Sequence, residues 1–322
     1  MIEKSEVKEI LVMGAVGGLA SHLIERLSKI YPGAKIVGVD ARKTKTTVDL
    51  PNVEIKQIKY KRSHFEKLFR ANKFDLFFHL GRLSHAGTFP FTSKARFNFN
   101  ILGTQNLLDL CLQHKVKKVV VLSTYHVYGA LADNPIFLRE EAPLRASHHY
   151  PEIRDVVEMD IVCTSWMWRY RDQISMVLFR PCNIVGPRIK NVMSTYLRSN
   201  IAPVPIDYSP TLQFISERDM VSVLIRSVEE LPAGPYNVAP DDYLTIQKAK
   251  KVIGKPGIPF SIFALSGLAK IFKKTILMVP DYLFDYLKFP CLLSNTEVKK
   301  HLGDNCFQDS SLEALKSLRE KK

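Results

Sequence analysis

The run Glu9-Ile-Leu-Val-Met13, followed directly by Gly14-Ala-Val-Gly17-Gly18-Leu-Ala20, decides the fold of this chain. The first segment is a short apolar run that predicts a buried strand, and Ala20 to Tyr31 carries apolar side chains at helical spacing. Glycine lets the backbone turn tightly between the two elements and approach a pyrophosphate without a Cβ in the way. The helix that follows presents free N–H groups and the positive end of its dipole to the phosphates. The segment therefore predicts a dinucleotide-binding turn.

The rest of the chain continues the alternation of strand-like and helix-like segments. Further apolar runs predict strands at Lys35 to Asp40, Val53 to Ile58, Phe74 to Leu80, Val116 to Leu122, Ile174 to Phe179 and Pro235 to Ala239. Apolar strands separated by helical crossovers predict an α/β fold, a Rossmann-type doubly wound parallel sheet of about seven strands. We expect residues 1–182, with 211–250 returning to them, to form the nucleotide-binding domain, and residues 183–210 and 251–322 to form a smaller substrate-binding lobe.

The predicted second strand ends at Asp40. A carboxylate at this position can accept hydrogen bonds from the adenosine ribose hydroxyls and would repel a 2′-phosphate, which favours NAD over NADP. Arg42 and Lys43 follow after Ala41 and argue the other way. We expect NAD as the cofactor, with NADP as the less favoured alternative.

The net charge is the unusual feature of the composition. The chain has 322 residues, 46% of them hydrophobic and 24% charged, as in ordinary globular proteins, but its formal net charge is +14. Such a field attracts nucleotides, sugar nucleotides, nucleic acid or anionic membrane, and charge alone does not choose among them. No recognised nucleic-acid module accompanies the basic residues, so we expect no nucleic-acid partner.

Cysteine usage and the N-terminal residues favour a cytoplasmic protein. The five cysteines are scattered and form no CxxC or Cys/His cluster, which argues against a disulfide framework and against a metal site. Residues Met1 to Glu6 lack an apolar signal core, and no run of about 18 apolar residues predicts a transmembrane helix. We therefore expect a reduced, cytoplasmic setting.

Six further segments occur in the order of one family's motifs and span most of the chain. They are His79-Leu-Gly81, Asn100 to Leu108, Val119 to Gly129, Arg180 to Pro187, Gln213 to Val221 and Tyr236-Asn237-Val. Together with the glycine turn they resemble the extended short-chain dehydrogenase/reductases, and among these the UDP-galactose 4-epimerase-like group of NAD-dependent epimerases and dehydratases. The resemblance implies a nucleotide-activated sugar as substrate and hydride chemistry on a bound nicotinamide.

The resemblance also implies which residues hold the ligands. The expected cofactor-binding residues are Gly14, Gly17, Gly18, Ala20, Asp40, Leu80, Gly81, Asn100 and Pro181. Asn183 and Arg188 stand where relatives approach the substrate.

The expected catalytic residues are Thr124, Tyr150 and Arg154. In the family a Ser or Thr hydroxyl and a tyrosinate act on the sugar oxygen, and a lysine four residues after the tyrosine lowers the tyrosine pKa. Tyr150-Pro-Glu-Ile-Arg154 stands at that motif with arginine in place of lysine. A register two residues later would instead place Glu152 and Val156 at the two positions and leave the site without either group.

The expected function is therefore NAD-dependent epimerisation, dehydration or oxidoreduction of a nucleotide-activated sugar. One alternative is a short-chain dehydrogenase acting on a lipid or sterol-like alcohol, because the segment from Ile258 to Leu293 is strongly apolar. Another alternative is a non-catalytic NAD-binding regulatory or scaffold protein. It is motivated by Arg154 and by Lys59-Tyr60-Lys61-Arg62, which replaces an acidic residue of the family near the adenine.

Two macromolecular contacts also stay open at this point. Lys270, Lys273 and Lys274 interrupt an apolar stretch, which suits either a helix of the substrate lobe or one lying on an anionic membrane. Trp166-Met-Trp168 suits core packing or a subunit contact, so a homodimer is compatible with the sequence.

Overall fold

The structure, a computed structural model, describes residues 6–43, 50–83, 92–263 and 282–319. Its strands are β1 (Glu9–Met13), β2 (Lys35–Asp40), β3 (Val53–Gln57), β4 (Leu76–His79), β5 (Lys118–Leu122), β6 (Phe137–Leu138), β7 (Ser175–Pro181), β8 (Asn183–Val185), β9 (Pro203–Pro205), β10 (Thr211–Leu212), β11 (Phe214–Ser216), β12 (Gly234–Val238), β13 (Leu244–Thr245), β14 (Ile258–Phe260) and β15 (Leu292–Leu293). Its α-helices are α1 (Gly18–Ile30), α2 (Arg62–Ala71), α3 (Ser93–Arg96), α4 (Thr104–Gln113), α5 (Ala146–His149), α6 (Arg154–Arg169), α7 (Val192–Arg198), α8 (Glu217–Glu230), α9 (Ile246–Ile253), α10 (Leu283–Tyr286), α11 (Thr296–Leu302) and α12 (Ser311–Lys316). A π-helical segment, Phe97–Gly103, joins α3 to α4.

The central sheet has seven parallel strands in the order β12-β7-β5-β4-β1-β2-β3. The prediction of a doubly wound Rossmann sheet is therefore confirmed. The strand order reverses between β1 and β4, whose last residues Met13 and His79 lie side by side. Ligands of open parallel sheets bind in the crevice beyond the strand ends at such a switch point.

Both faces of the sheet are covered, which explains the continuous apolar runs. In β1, Ile10 and Val12 pack on the face that carries α1 and α8, whereas Leu11 and Met13 pack on the face that carries α2, α4 and α6. A buried parallel strand needs apolar side chains on both faces. The sheet therefore fixes the glycine turn rigidly at the end of β1.

A third, smaller core lies in the later part of the chain. Side chains of β8, α7, α9 and α12 pack together in this core, and Leu197, Phe214 and Leu315 are among its fully buried members. The predicted division into two lobes stays a prediction. No helix among the described ranges is long and apolar enough to cross a membrane. Lys270, Lys273 and Lys274 lie outside the described residues, so the membrane contact predicted for them also stays a prediction.

Candidate functional site

The glycine turn has the geometry that its sequence predicts. Gly14 has a φ of +86°, and a Cβ placed on it would lie 2.9 Å from the Cα of Gly81. The Gly14 N–H donates to the carbonyl of Val39 at 2.9 Å, and the Gly17 N–H donates to the carbonyl of Gly14 at 2.8 Å. Among the described residues, no side chain caps the first turn of α1, and that turn contains no acidic residue. Its N–H groups are therefore available to an anionic ligand such as a pyrophosphate.

Gly18 is explained by chain packing rather than by a ligand. A Cβ on Gly18 would lie 2.0 Å from the backbone oxygen of Arg188. The Arg188 guanidinium donates from Nη1 to Oε1 of Glu25 at 2.8 Å, and the Arg188 backbone N–H donates to Oε2 of Glu217 at 3.0 Å. Ala20, at the third position of the motif, is buried in the core on the α1 face of the sheet. The substrate-binding role of Arg188 stays a prediction.

The carboxylate of Asp40 is hydrogen-bonded to the glycine turn. Its Oδ2 accepts from the Val16 N–H at 3.1 Å and from Nη2 of Arg42 at 2.8 Å. Its Oδ1 accepts from the N–H and from Nε of Arg42, at 2.9 and 3.0 Å. Burial alone would raise the pKa of Asp40, but the hydrogen bonds from Arg42 outweigh it and lower the pKa below its ordinary value.

The segment after β4 is held by two buried side chains. Nε2 of His79 lies 2.9 Å from Oγ1 of Thr104, and burial lowers the pKa of His79 to about 4. Asn100 accepts from the N–H of Leu83 at 2.9 Å and donates to its carbonyl at 3.0 Å. These contacts fix Leu80 and Gly81 at the switch point, beside the glycine turn. The Asn100 amide is thus already hydrogen-bonded within the protein. The cofactor contact predicted for Asn100 stays a prediction.

The Arg180 motif supplies a buried ion pair. Arg180 donates to Asp160 from Nε at 3.1 Å and from Nη2 at 2.7 Å, and Ser123 donates to the same carboxylate at 2.5 Å. Pro181, the last residue of β7, pairs with Val238 of β12. The sequence alone did not identify Asp160, because nothing local links this carboxylate to an arginine in a later apolar strand.

Asn183 stands just beyond this ion pair, at the start of β8. Its side-chain amide donates to the carbonyl of Gln213 at 3.1 Å and accepts from the hydroxyl of Tyr125 at 3.1 Å. The side chain is buried, so these contacts join β8 to the segment before β11. Its predicted substrate contact stays a prediction.

A polar cavity lies beyond the ends of β4 and β5. It is lined by Arg82, Arg96, Thr124, His126, Glu152, Ile153, Asp155, Val156 and Tyr282. Arg96 and Asp155 are 4% and 7% exposed. Three buried polar atoms here have no hydrogen-bond partner among the described residues, namely Nε of Arg96, Nε2 of His126 and Oδ1 of Asp155. Unpaired buried polar atoms are costly, and a polar ligand in the cavity would satisfy them.

Thr124 lines this cavity, and the catalytic role that its motif suggests stays a prediction. Its Oγ1 lies 2.9 Å from Nδ1 of His126. Burial, with a smaller contribution from Arg82, lowers the pKa of His126 to about 3, so the imidazole is neutral near neutral pH. The sequence alone did not single out His126, because a lone histidine in a turn gives no periodic signal of its own.

Tyr150 and Arg154 do not lie with Thr124. The Tyr150 hydroxyl donates to the carbonyl of Ala130 at 3.0 Å, and burial, followed by the charge of Asp285, raises its pKa. The Arg154 side chain is 71% exposed and lies 3.7 Å from Glu158.

The cavity is lined instead by the two residues that the motif register two positions later selects. Glu152 and Val156 line it together with Thr124, whereas Tyr150 and Arg154 are not among the residues that line it. The structure therefore does not support the pairing of Tyr150 and Arg154 with Thr124 that the motif suggested, and their catalytic roles stay predictions. The physical reason is local. A 3₁₀ turn over Pro151–Ile153 precedes α6, which begins only at Arg154.

The fold and the glycine turn define a Rossmann protein of the dinucleotide-binding class. A family model for the NAD dependent epimerase/dehydratase family matches residues 10–239, and the chain belongs to this family. Human dTDP-D-glucose 4,6-dehydratase is 25% identical over 263 residues, which cover 76% of this chain and 73% of that protein. The family resemblance seen in the motifs is thus confirmed.

Solved structures share the fold over nearly the whole chain. The dTDP-glucose 4,6-dehydratase of Bacillus anthracis, in complex with NAD, has a TM-score of 0.73 at 17% identity, covering 97% of this chain and 95% of that chain. The UDP-glucose 4-epimerase of Thermotoga maritima, with UDP-glucose, has a TM-score of 0.73 at 18% identity, covering 96% of this chain and 97% of that chain.

Proposed function

We propose that this chain binds a nicotinamide dinucleotide and a nucleotide-activated sugar, and that it acts on the sugar by hydride transfer as an epimerase/dehydratase or oxidoreductase. The observation that carries this proposal is the alignment of an uncapped helix start and a polar cavity along one edge of the sheet. The N–H groups that begin α1 would hold the pyrophosphate. The Thr124 cavity would hold the reacting part of the sugar.

The polar atoms that line the cavity favour a sugar over a lipid or sterol-like alcohol as the ligand. Arg96 and Asp155 form an ion pair at 3.9 Å, but Nε of Arg96, a donor, and Oδ1 of Asp155, an acceptor, are buried without a hydrogen-bond partner among the described residues. Sugar hydroxyls both donate and accept, so they can satisfy both atoms, whereas a sterol-like ring would leave them unpaired. The Thr124 hydroxyl would then orient the reacting oxygen. The nicotinamide would supply the hydride when the dinucleotide is bound.

A second candidate, a non-catalytic dinucleotide-binding protein, is favoured by one specific observation. The two cavity positions of the later register carry a carboxylate, Glu152, and an aliphatic side chain, Val156. Neither can act as the tyrosine–lysine pair that the family resemblance implies. On this alternative the chain keeps the binding surfaces and has lost the proton-transfer groups.

One pair of measurements separates the two candidates. Binding of UDP- and dTDP-sugars in the presence of a dinucleotide should raise the melting temperature on either candidate. Only the enzymatic candidate predicts a change in nicotinamide absorbance or a changed sugar when the mixture is incubated. A protein that is stabilised by these ligands and never transfers a hydride would support the second candidate. A protein stabilised by none of them would refute both.

A further inference from the structure

The hydrogen-bonding capacity of the Asp40 carboxylate is already used within the protein. A carboxylate offers about four lone-pair positions. Here Oδ1 accepts from the N–H and Nε of Arg42, and Oδ2 accepts from Nη2 of Arg42 and from the Val16 N–H. The two hydroxyls of an adenosine ribose would have to displace these donors in order to bind Asp40. The carboxylate is therefore poorly prepared for the role that it has in NAD-binding relatives of this fold.

The guanidinium of Arg42 presents its unused edge outward. An arginine carries five N–H donors on a planar fork, of which the Asp40 carboxylate takes two, on Nε and Nη2. The N–H groups of Nη1 and the second one of Nη2 have no acceptor among the described residues. The Arg42 side chain is 65% exposed, whereas that of Asp40 is 7% exposed. The Asp40 carboxylate is thus buried and holds Arg42, whose remaining N–H groups are open to solvent.

This edge lies next to the glycine turn. Nη2 of Arg42 is 4.0 Å from the position that a Cβ on Gly17 would take. The side chain that normally contacts the 2′-hydroxyl of the ribose ends the second strand, which is the place of Asp40. A group attached at the ribose 2′-oxygen would accordingly meet Arg42, with Lys43 following in the chain.

We propose that Asp40 and Arg42 form a clamp for the 2′-phosphate of NADP(H), so that the chain prefers NADP(H) to NAD(H). The proposal rests on the proposed binding of a nicotinamide dinucleotide and reverses the expectation drawn from Asp40 alone. The free edge of the guanidinium can donate two parallel hydrogen bonds to a phosphate, a geometry that lysine cannot reproduce. Because Arg42 lies on the Asp40 carboxylate and neutralises it, the acidic side chain orients the arginine instead of repelling the phosphate.

The test is a set of equilibrium titrations with NADPH and NADH, followed by nicotinamide fluorescence or calorimetry, on the full chain. We expect the wild-type protein to bind NADPH at least ~10-fold more tightly than NADH, the range that one or two charge-assisted hydrogen bonds supply. R42Q should lose ~10- to 100-fold in NADPH affinity, and it should bind NADH as well or better, because Asp40 regains free lone pairs. R70Q is the matched control, since Arg70 is exposed on α2 and its loss changes the net charge by the same amount. It should leave the NADPH/NADH ratio unchanged.

A competition experiment isolates the 2′-phosphate from the rest of the cofactor. Adenosine 2′,5′-bisphosphate should displace NADPH more strongly than 5′-ADP in the wild type, and the two should become equivalent in R42Q. The clamp is overturned if the wild type prefers NADH, or if R42Q lowers both affinities by the same factor with an unchanged ratio. If neither NADPH nor NADH binds the folded wild type, the proposed function is refuted, and the clamp with it.

Discussion

Replacing Tyr150 by phenylalanine tests whether this tyrosine is a catalytic or a structural residue. The hydroxyl donates to the carbonyl of Ala130 at 3.0 Å and also lies within hydrogen-bonding range of Asp285, while the ring lies 6.3 Å from the rings of both Tyr282 and Tyr286. Y150F keeps the ring and leaves a buried carbonyl unpaired. We therefore expect a loss of about 1 kcal/mol in the free energy of unfolding, and a fall of about 2 °C in Tm.

The same variant should leave ligand binding and turnover unchanged. An ordinary tyrosine has a pKa of about 10, and burial with the nearby Asp285 raises that of Tyr150 further, so a phenolate is essentially absent at neutral pH. The assay compares wild type and Y150F by thermal unfolding, dinucleotide titration and the rate of nicotinamide absorbance change with UDP- and dTDP-sugars. A fall of ~100-fold or more in hydride transfer, with Tm and dinucleotide affinity unaltered, would show that Tyr150 is the acid–base group and that this reasoning is wrong.

Three further predictions concern Asp160, the pair Glu152 and Val156, and His79. D160N should lower the free energy of unfolding by about 3–5 kcal/mol, measured by urea titration, because it leaves the buried Arg180 charge without its partner; a loss below ~1 kcal/mol would mean that the pair is dispensable. The double variant E152Y/V156K should raise hydride transfer by ~100-fold or more in the same absorbance assay, because it places a tyrosine and a lysine beside the Thr124 cavity; no gain, with both ligands still bound, would contradict the later register. Burial lowers the pKa of His79 to about 4 in the folded protein, whereas in the unfolded chain its pKa is about 6.5. The free energy of unfolding should therefore fall by about 3 kcal/mol in total as the pH decreases from about 6.5 to 4. H79N should reduce that dependence, and an unchanged pH profile would show that another group is responsible.

The elements that the sequence predicted best are those whose signal is contiguous. The predicted strands at Glu9–Met13 and Lys35–Asp40 are the strands observed, because a strand buried on both faces gives a contiguous apolar run that the polar residues at its ends delimit. The predicted fourth strand began at Phe74, but the observed strand begins at Leu76. The Asp75 carboxylate accepts hydrogen bonds from the N–H groups of Lys8 and Glu9, a long-range contact that no local sequence pattern predicts.

The reacting end of the site was not predictable in the same way. The phase of α6 relative to the sheet is held by Asp160, which accepts hydrogen bonds from Ser123, just after β5, and from Arg180 of β7. Spacing within Tyr150-Pro-Glu-Ile-Arg154 could not report this phase, because the motif match ignores the 3₁₀ turn that Pro151 begins. The sequence supplied both registers, and the lining of the Thr124 cavity in the folded chain distinguishes them.

The glycines of the turn are weaker evidence for a ligand than they first suggest. Gly14 is required by Gly81, and Gly18 by the carbonyl of Arg188, so both would be retained in a protein that bound nothing. The informative atoms are those that packing does not explain: the uncapped first turn of α1, the outward edge of Arg42, and the unpaired nitrogen of Arg96 beside the Thr124 cavity. All three lie along one edge of the sheet, where an anionic dinucleotide followed by a polar substrate would satisfy each of them. Binding is therefore the part of the function with the strongest physical support, and proton transfer is the part that the variants at Glu152 and Val156 must decide.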